Sequence, residues 1–304
     1  MKRNVLNSPR LSELKRHRRR SFLNKILFFL LGVLIIFIFL AYISRLNNLN
    51  INNIEVTGNQ VIDTNAIKEV VTQETTGKYF WLFPKTNIFI YPENVIKNEL
   101  QDKFKRLEDI NLSIKNDRTL VVSVAERKAL YTWCGAIPPV AAVTGNSLNC
   151  YFVDENGYIF DQAPYFSGNV YFKFYGLPDS VSPSLSEETF NPSGFYFSQQ
   201  NFKQLVSFKD ILINLKLKPT SLYVTSDGEV EVFLSSVNSS VMQPEIMFNL
   251  SDDYEKVAEN LEAALTTDPL KTEFANKYSS LLYIDLRFGN KVYYKFATTT
   301  VATK

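Results

Sequence analysis

Histidine is nearly missing from this chain. Its 304 residues hold one, His17, which stands among arginines close to the N-terminus. Beyond it, no serine or cysteine nucleophile has an imidazole to activate it, and no zinc site can draw on a histidine ligand. Cysteine is almost as scarce. Cys134 and Cys150 are the two, too few to close a tetrahedral metal site alone. Glycine, at 11 residues, forms no phosphate-cradling loop. Two carboxylate pairs survive this sifting, Asp154 with Glu155 and Asp252 with Asp253. Sugar hydrolysis would need two carboxyls ~5–10 Å apart, but both pairs fall at a turn or a helix start, where Asp and Glu satisfy backbone donors. No catalytic, cofactor-binding or metal-binding residue is assigned, and no cofactor or small-molecule substrate is expected.

What the chain does have is an apolar run, Ile26 to Ser44, without a charge and bounded by Lys25 and Arg45. As a helix it would extend about 28 Å, close to the hydrocarbon thickness of a bilayer. The run is longer than a signal-peptide core and does not end in small residues, so it reads as an uncleaved anchor. Nine of the 33 Lys and Arg precede it with one of the 31 acids, Glu13, so a chain of net +2 divides into a tail of +8 and a remainder of −6. After Arg45 the next basic residue is Lys68. The positive-inside rule then puts residues 1–25 in the cytoplasm and everything after Ser44 outside the plasma membrane. The tail reads as a contact for anionic lipid headgroups rather than for nucleic acid.

The exported part opens with a strand, Ile51 to Gly58, turning at Gly58-Asn59. Asp63 or Thr64 can cap a helix that buries Ile67, Val70 and Val71. Gly77 to Pro84 is a loop crowded with Tyr79, Phe80, Trp81 and Phe83, suited to a partner surface, to packing, or to the lipid interface. Pro92 and Glu93 start a second helix with the stripe Ile96, Leu100, Phe104 and Leu107. A hairpin follows: Ile110, Leu112 and Ile114, a turn at Asn116-Asp117, then Leu120, Val122 and Val124. The order β-α-α-β-β suits a three-stranded sheet with both helices on one face.

This order, straight after a membrane helix, resembles the POTRA domain of the FtsQ/DivIB family of bacterial cell-division proteins. The resemblance rests on Ile54-Glu55-Val56-Thr57-Gly58-Asn59 and on Thr119 to Arg127, TLVVSVAER. The family's proline two residues past that Glu-Arg pair is Ala129 here. Further on, Tyr151 to Phe160 reads as a hairpin turning at Asn156-Gly157. It is similar to the family's Val-Asp-x-x-Gly-x-Phe segment. Near the end, Tyr283-Ile284-Asp285-Leu286-Arg287-Phe288 with Gly289, Asn290 and Val292 is similar to its terminal strands.

Between these landmarks, Leu130 to Trp133 reads as a strand and 161–200 as a loop insertion with one strand, Val170 to Tyr175. Gln199 to Leu217 reads as a helix, Ser221 to Leu234 as a hairpin turning at Asp227-Gly228, Glu245 to Leu250 as a strand and Asp252 to Leu265 as a helix. Leu281 to Arg287 and Lys291 to Phe296 close the chain as two strands. Outside the cytoplasm, Cys134 and Cys150 are either a disulfide, worth roughly 3 kcal/mol, or two buried thiols.

The expected fold class is α+β: a single transmembrane helix, a POTRA-like β-α-α-β-β domain and a larger mixed β-domain with flanking helices. The boundaries are tail 1–25, helix 26–44, POTRA domain 51–128, β-domain 129–297 and a C-terminal tail 298–304. An edge strand at Lys291–Phe296 would offer unpaired backbone groups, with Tyr293, Tyr294 and Phe296 as anchors, or else these rings pack on their own sheet. The family resemblance implies docking of FtsB/DivIC- and FtsL-type partners on Arg287, Phe288, Gly289, Asn290, Lys291, Val292, Tyr293 and Tyr294. It implies a non-enzymatic bitopic scaffold of the divisome. Two other readings are a membrane-anchored, extracytoplasmic cell-wall enzyme working through carboxylates, and a chaperone feeding an outer-membrane barrel. The second would need tandem POTRA copies or a following barrel.

Overall fold

The computed structural model describes residues 9–116, 118–139, 149–181, 191–236 and 243–297. The first eight residues, Asp117 of the expected turn, most of the stretch between the cysteines and the expected tail at 298–304 lie outside them. The architecture is mixed α+β, and the chain divides into two compact units, Met1–Glu126 and Arg127–Lys304.

In the first unit, α1 (Pro9–Ser44) is one helix of 36 residues. Residues 9–25 of the basic segment expected as a separate tail are thus wound into the same helix, with Pro9 in the first turn. Arg16–Ser44 is long and apolar enough to cross a membrane. The carbonyls at its end are not left bare. Asn50 Nδ2 donates to Ser44 O (3.0 Å) and Leu46 O (2.7 Å), and Asn87 Nδ2 donates to Ser44 O (3.1 Å).

Next come β1 (Asn53–Thr57), α2 (Thr64–Thr75), α3 (Glu93–Lys103), β4 (Leu107–Lys115) and β5 (Thr119–Glu126), with a short hairpin, β2 (Lys78–Tyr79) and β3 (Phe83–Pro84), between the helices. The sheet order is β1-β5-β4, β5 running parallel to β1 and antiparallel to β4. Asp63 caps α2 by accepting from the Asn65 N–H (3.2 Å). Ile67, Val70 and Val71 of α2 and Ile96 and Leu100 of α3 share one core with Leu112, Leu120, Val122 and Val124 of the sheet. Leu107, expected on the second helix's stripe, instead opens β4, because α3 ends at Lys103 with Phe104 as its cap. Gly58 has φ +91° and lies so close to β5 that a Cβ there would stand 2.0 Å from Val124 O. Beside it, the Glu126 carboxylate accepts from the N–H groups of Gln60, Val61 and Ile62 at 2.8–3.0 Å. Burial pushes this carboxyl up, but the three amides together with the charge of Arg106 outweigh burial and hold it below the usual range.

The β2–β3 hairpin turns through Phe80 and Trp81, with the Leu82 N–H donating to Tyr79 O (3.0 Å). Both central residues are left-handed, at φ +47° and +64°. That conformation costs an L-residue about 1–2 kcal/mol. Their rings are 85 % and 91 % exposed.

The second unit is built on a nine-stranded mixed sheet, in the order β14-β13-β12-β11-β10-β9-β6-β7-β8. These are β6 (Tyr131–Trp133), β7 (Tyr151–Val153), β8 (Ile159–Gln162), β9 (Lys173–Tyr175), β10 (Pro219–Val224), β11 (Glu229–Leu234), β12 (Glu245–Asn249), β13 (Leu281–Phe288) and β14 (Lys291–Phe296). The helices α4 (Phe202–Asn214) and α5 (Tyr254–Thr266) lay Phe202, Leu205, Phe208, Leu212, Val257 and Leu261 into the same core as Phe174, Val230, Val232, Ile246, Phe248 and Ile284.

The strand expected at Val170 to Tyr175 within 161–200 is present as the shorter β9. β9 pairs in parallel with both β6 and β10 and joins the two halves of the sheet. Its Phe174 is fully buried. A helix over Leu270–Lys277 (α6) was not anticipated, since among its apolar residues Leu270 alone is buried. Cys134 and Cys150 are disulfide-bonded, 16 residues apart.

Candidate interaction edge

The segment β13–turn–β14 can be built up from its alternation. In Lys291-Val292-Tyr293-Tyr294-Lys295-Phe296 the even positions are half-buried and the odd ones exposed. Val292, Tyr294 and Phe296 pack against the core shared by α4 and α5. Tyr294 and Phe296 thus follow the other course open to them, packing partly on their own sheet, and Tyr293 is the exposed ring of the strand. Tyr293 points the other way with Lys291 and Lys295. Its ring meets Phe288 edge-on at 5.3 Å, and both rings are about half exposed (49 % and 57 %). Gly289, at φ +65°, takes the left-handed turn position, and Asn260 of α5 donates to its carbonyl (3.1 Å). Among the described residues, β14 has one strand neighbour, β13, so the backbone on its outer side has no strand to pair with.

Arg287 is occupied differently from the rest of the segment. Its Nε and Nη2 donate to Asp285 Oδ1 (2.9 Å) and Oδ2 (2.7 Å), a bidentate pair, and Nη1 donates to Glu229 Oε1 of β11 (2.7 Å). Asp285 is buried. Burial pushes its carboxyl up, yet the hydrogen bonds and charge of Arg287 together hold it below the ordinary Asp value. The Asp285 hydrogen bond, opposed by desolvation and aided by Glu229, holds the guanidinium proton more tightly than usual. Arg287 is thus a clasp across three strands, not a free donor. Around it the open sheet face is acidic. Burial first, then the neighbouring Glu229, raises Glu231; burial and then Glu231 raise Glu245, with Arg287 pulling both back.

Three of the four carboxylates in the two pairs are engaged in local structure. Asp154 is buried, pairs with Arg127 Nη1 (2.5 Å) and accepts from the N–H groups of Asn156 (2.8 Å) and Tyr158 (3.0 Å). Asp253 caps α5 through the Glu255 N–H (3.1 Å), and Asp252 accepts from the Asn249 N–H (2.8 Å). Among the described residues no group of three or more His, Cys, Asp or Glu could hold a metal ion.

The exposed Phe288–Tyr293 pair and the Arg287 clasp were both missed as units from sequence. Their signal was the spacing of two along each strand: Asp285 with Arg287, and Lys291 with Tyr293 and Lys295. No protein-family profile matches the chain, and no curated protein matches it.

Proposed function

We propose that this chain is a non-enzymatic, single-pass scaffold of the bacterial division machinery, of the FtsQ/DivIB kind. In this reading the part of the first unit after α1 is a POTRA domain, and the second unit is the β-domain. The tail is cytoplasmic, in keeping with its basic charge, and the Cys134–Cys150 disulfide suits an oxidising compartment outside. The observation that carries the reading is the unpaired outer side of β14, beside an exposed aromatic pair.

A strand from a septal partner of the FtsB/DivIC or FtsL type would add along Lys291–Phe296. Backbone hydrogen bonds would set its register, and Phe288 with Tyr293 would supply the apolar anchor. Lys291 and Lys295 favour acidic side chains on the incoming strand. Tethering both proteins to one membrane raises their effective concentration, so a modest edge interaction suffices.

The test is binding of such partners by the full chain reconstituted in bilayers. Phe288→Asp with Tyr293→Asp is expected to weaken it by about 30-fold, the loss typical of truncating a hot spot, with the unfolding midpoint unchanged. Undiminished binding by the folded double variant rejects the docking edge.

A further inference from the structure

The β2–β3 hairpin does not stand clear of α1 but runs down its side. Phe37, Ala41 and Ser44 are spaced i, i+4, i+7 and so share one face of the helix. Phe83 meets Phe37 edge-on at 5.2 Å, Ala41 and Ser44 are buried, and Arg45 Nε donates to Leu82 O (3.2 Å). Phe37 lies seven residues inside the helix end, about 10 Å along its axis at 1.5 Å per residue. A hairpin that touches Phe37 therefore reaches well below the level at which the helix ends. At its tip, Phe80 and Trp81 present their rings to the surroundings, held in strained left-handed conformations where Gly or Asn would sit at ease. Lys78, exposed, and Lys85, which stands over the Tyr79 ring at 5.9 Å, flank the base of the hairpin.

We propose that the Lys78–Pro84 hairpin is a second membrane contact, with Phe80 and Trp81 seated in the interfacial layer of the bilayer that α1 crosses. This rests on the reading of α1 as a membrane span. The depth at which Phe83 meets the helix matches the roughly 5–10 Å to which interfacial elements bury their apolar side. Tryptophan is the side chain most at home there, with an apolar body and a wet N–H. The lysines and Arg45 suit the phosphates above. The hairpin would fix the angle and rotation of the domain on its helix, which a single flexible tether cannot do.

Intrinsic fluorescence tests this directly, because the other tryptophan, Trp133, is buried in the second unit. The full chain is placed in phosphatidylcholine–phosphatidylglycerol vesicles whose acyl chains carry bromine close to the headgroup. Subtracting the spectrum of Trp81→Phe from that of the unaltered chain isolates Trp81 without touching Trp133. The expected Trp81 emission is blue-shifted and loses most of its intensity in brominated lipid. Phe37→Trp, made in the Trp81→Phe background, places an indole on the helix and reports the span independently. If that helix indole is quenched and Trp81 is not, the hairpin proposal falls while the span stands. If neither is quenched, both fall.

Discussion

Among the described residues, two hairpins carry an exposed aromatic pair, and they are built in opposite ways. In the first unit Phe80 and Trp81 occupy the turn itself, both left-handed, and point away from the strands. In the second, Gly289 takes the left-handed position, and Phe288 and Tyr293 flank the turn on the face of the sheet. A two-residue ladder such as β2–β3 offers almost no backbone edge. Its tip offers side chains only, which suits a partner that cannot form directed hydrogen bonds, such as lipid. The β14 edge offers a row of backbone donors and acceptors beside its rings, which suits another strand. On the two readings proposed above, glycine takes the left-handed position where a partner would read the backbone, and strained residues take it where only rings would be presented.

The comparison is sharpened most by testing whether the two units stand or fall separately. Reducing the Cys134–Cys150 disulfide, or replacing both residues by Ser, is expected to cost the second unit about 3 kcal/mol, from the loop-closure entropy of a 16-residue separation. Denaturant unfolding followed by Trp133 should shift accordingly. Hydrogen exchange at Val122 and Leu120, in the core of the first unit, should stay unchanged. If those amides exchange faster after reduction, the units are not independent, and the two hairpins cannot be treated as separate devices.

A smaller effect is expected from Arg287→Ala, about 2–3 kcal/mol at neutral pH, because it strands the buried Asp285 carboxylate. The pH dependence follows from the lowered Asp285 value. A carboxyl whose folded value lies below its unfolded one contributes stability that is present above the unfolded pKa and is lost as pH falls through the folded pKa. The gap between wild type and variant should therefore close below the ordinary Asp range. A gap that persists in acid would mean that Arg287 contributes through packing rather than charge. The β14 edge would then owe nothing to the clasp behind it.

Legibility in the sequence followed length and period. The first unit's helices were readable because Ile67, Val70 and Val71, and Ile96 and Leu100, recur at helical spacing over a full stripe. Its hairpin was readable because Leu112, Leu120 and Val122 alternate without interruption. In the second unit β9 is three residues long, and its place in the sheet centre depends on parallel pairing with strands more than forty residues away on each side. Nothing local encodes that. The β14 rings are the instructive case. Lys291 and Lys295 already assign the odd positions to solvent, so a strict period of two separates Tyr293 from Tyr294 and Phe296. Aromatic character alone leaves anchoring or packing open for all three rings, and alternation separates them. The strained Phe80–Trp81 turn was legible only as an aromatic cluster, since nothing in residue type marks a left-handed tryptophan.

The smallest expected effect bears on that strain. Gly289→Ala imposes on the second hairpin the condition that the first one tolerates, a side chain at φ +65°. Beyond the adjoining residues no atom lies within 4 Å of the added Cβ, so the substitution tests the backbone conformation. The expected loss is about 1 kcal/mol. Gly289→Asn should recover most of it, because asparagine accepts the left-handed region through its own local hydrogen bond. Both are read as shifts in the unfolding midpoint of the second unit. If alanine costs nothing there, left-handed turns in this fold are not strained. Phe80 and Trp81 would then hold their positions without an energetic penalty, and the contrast between the two hairpins would reduce to geometry.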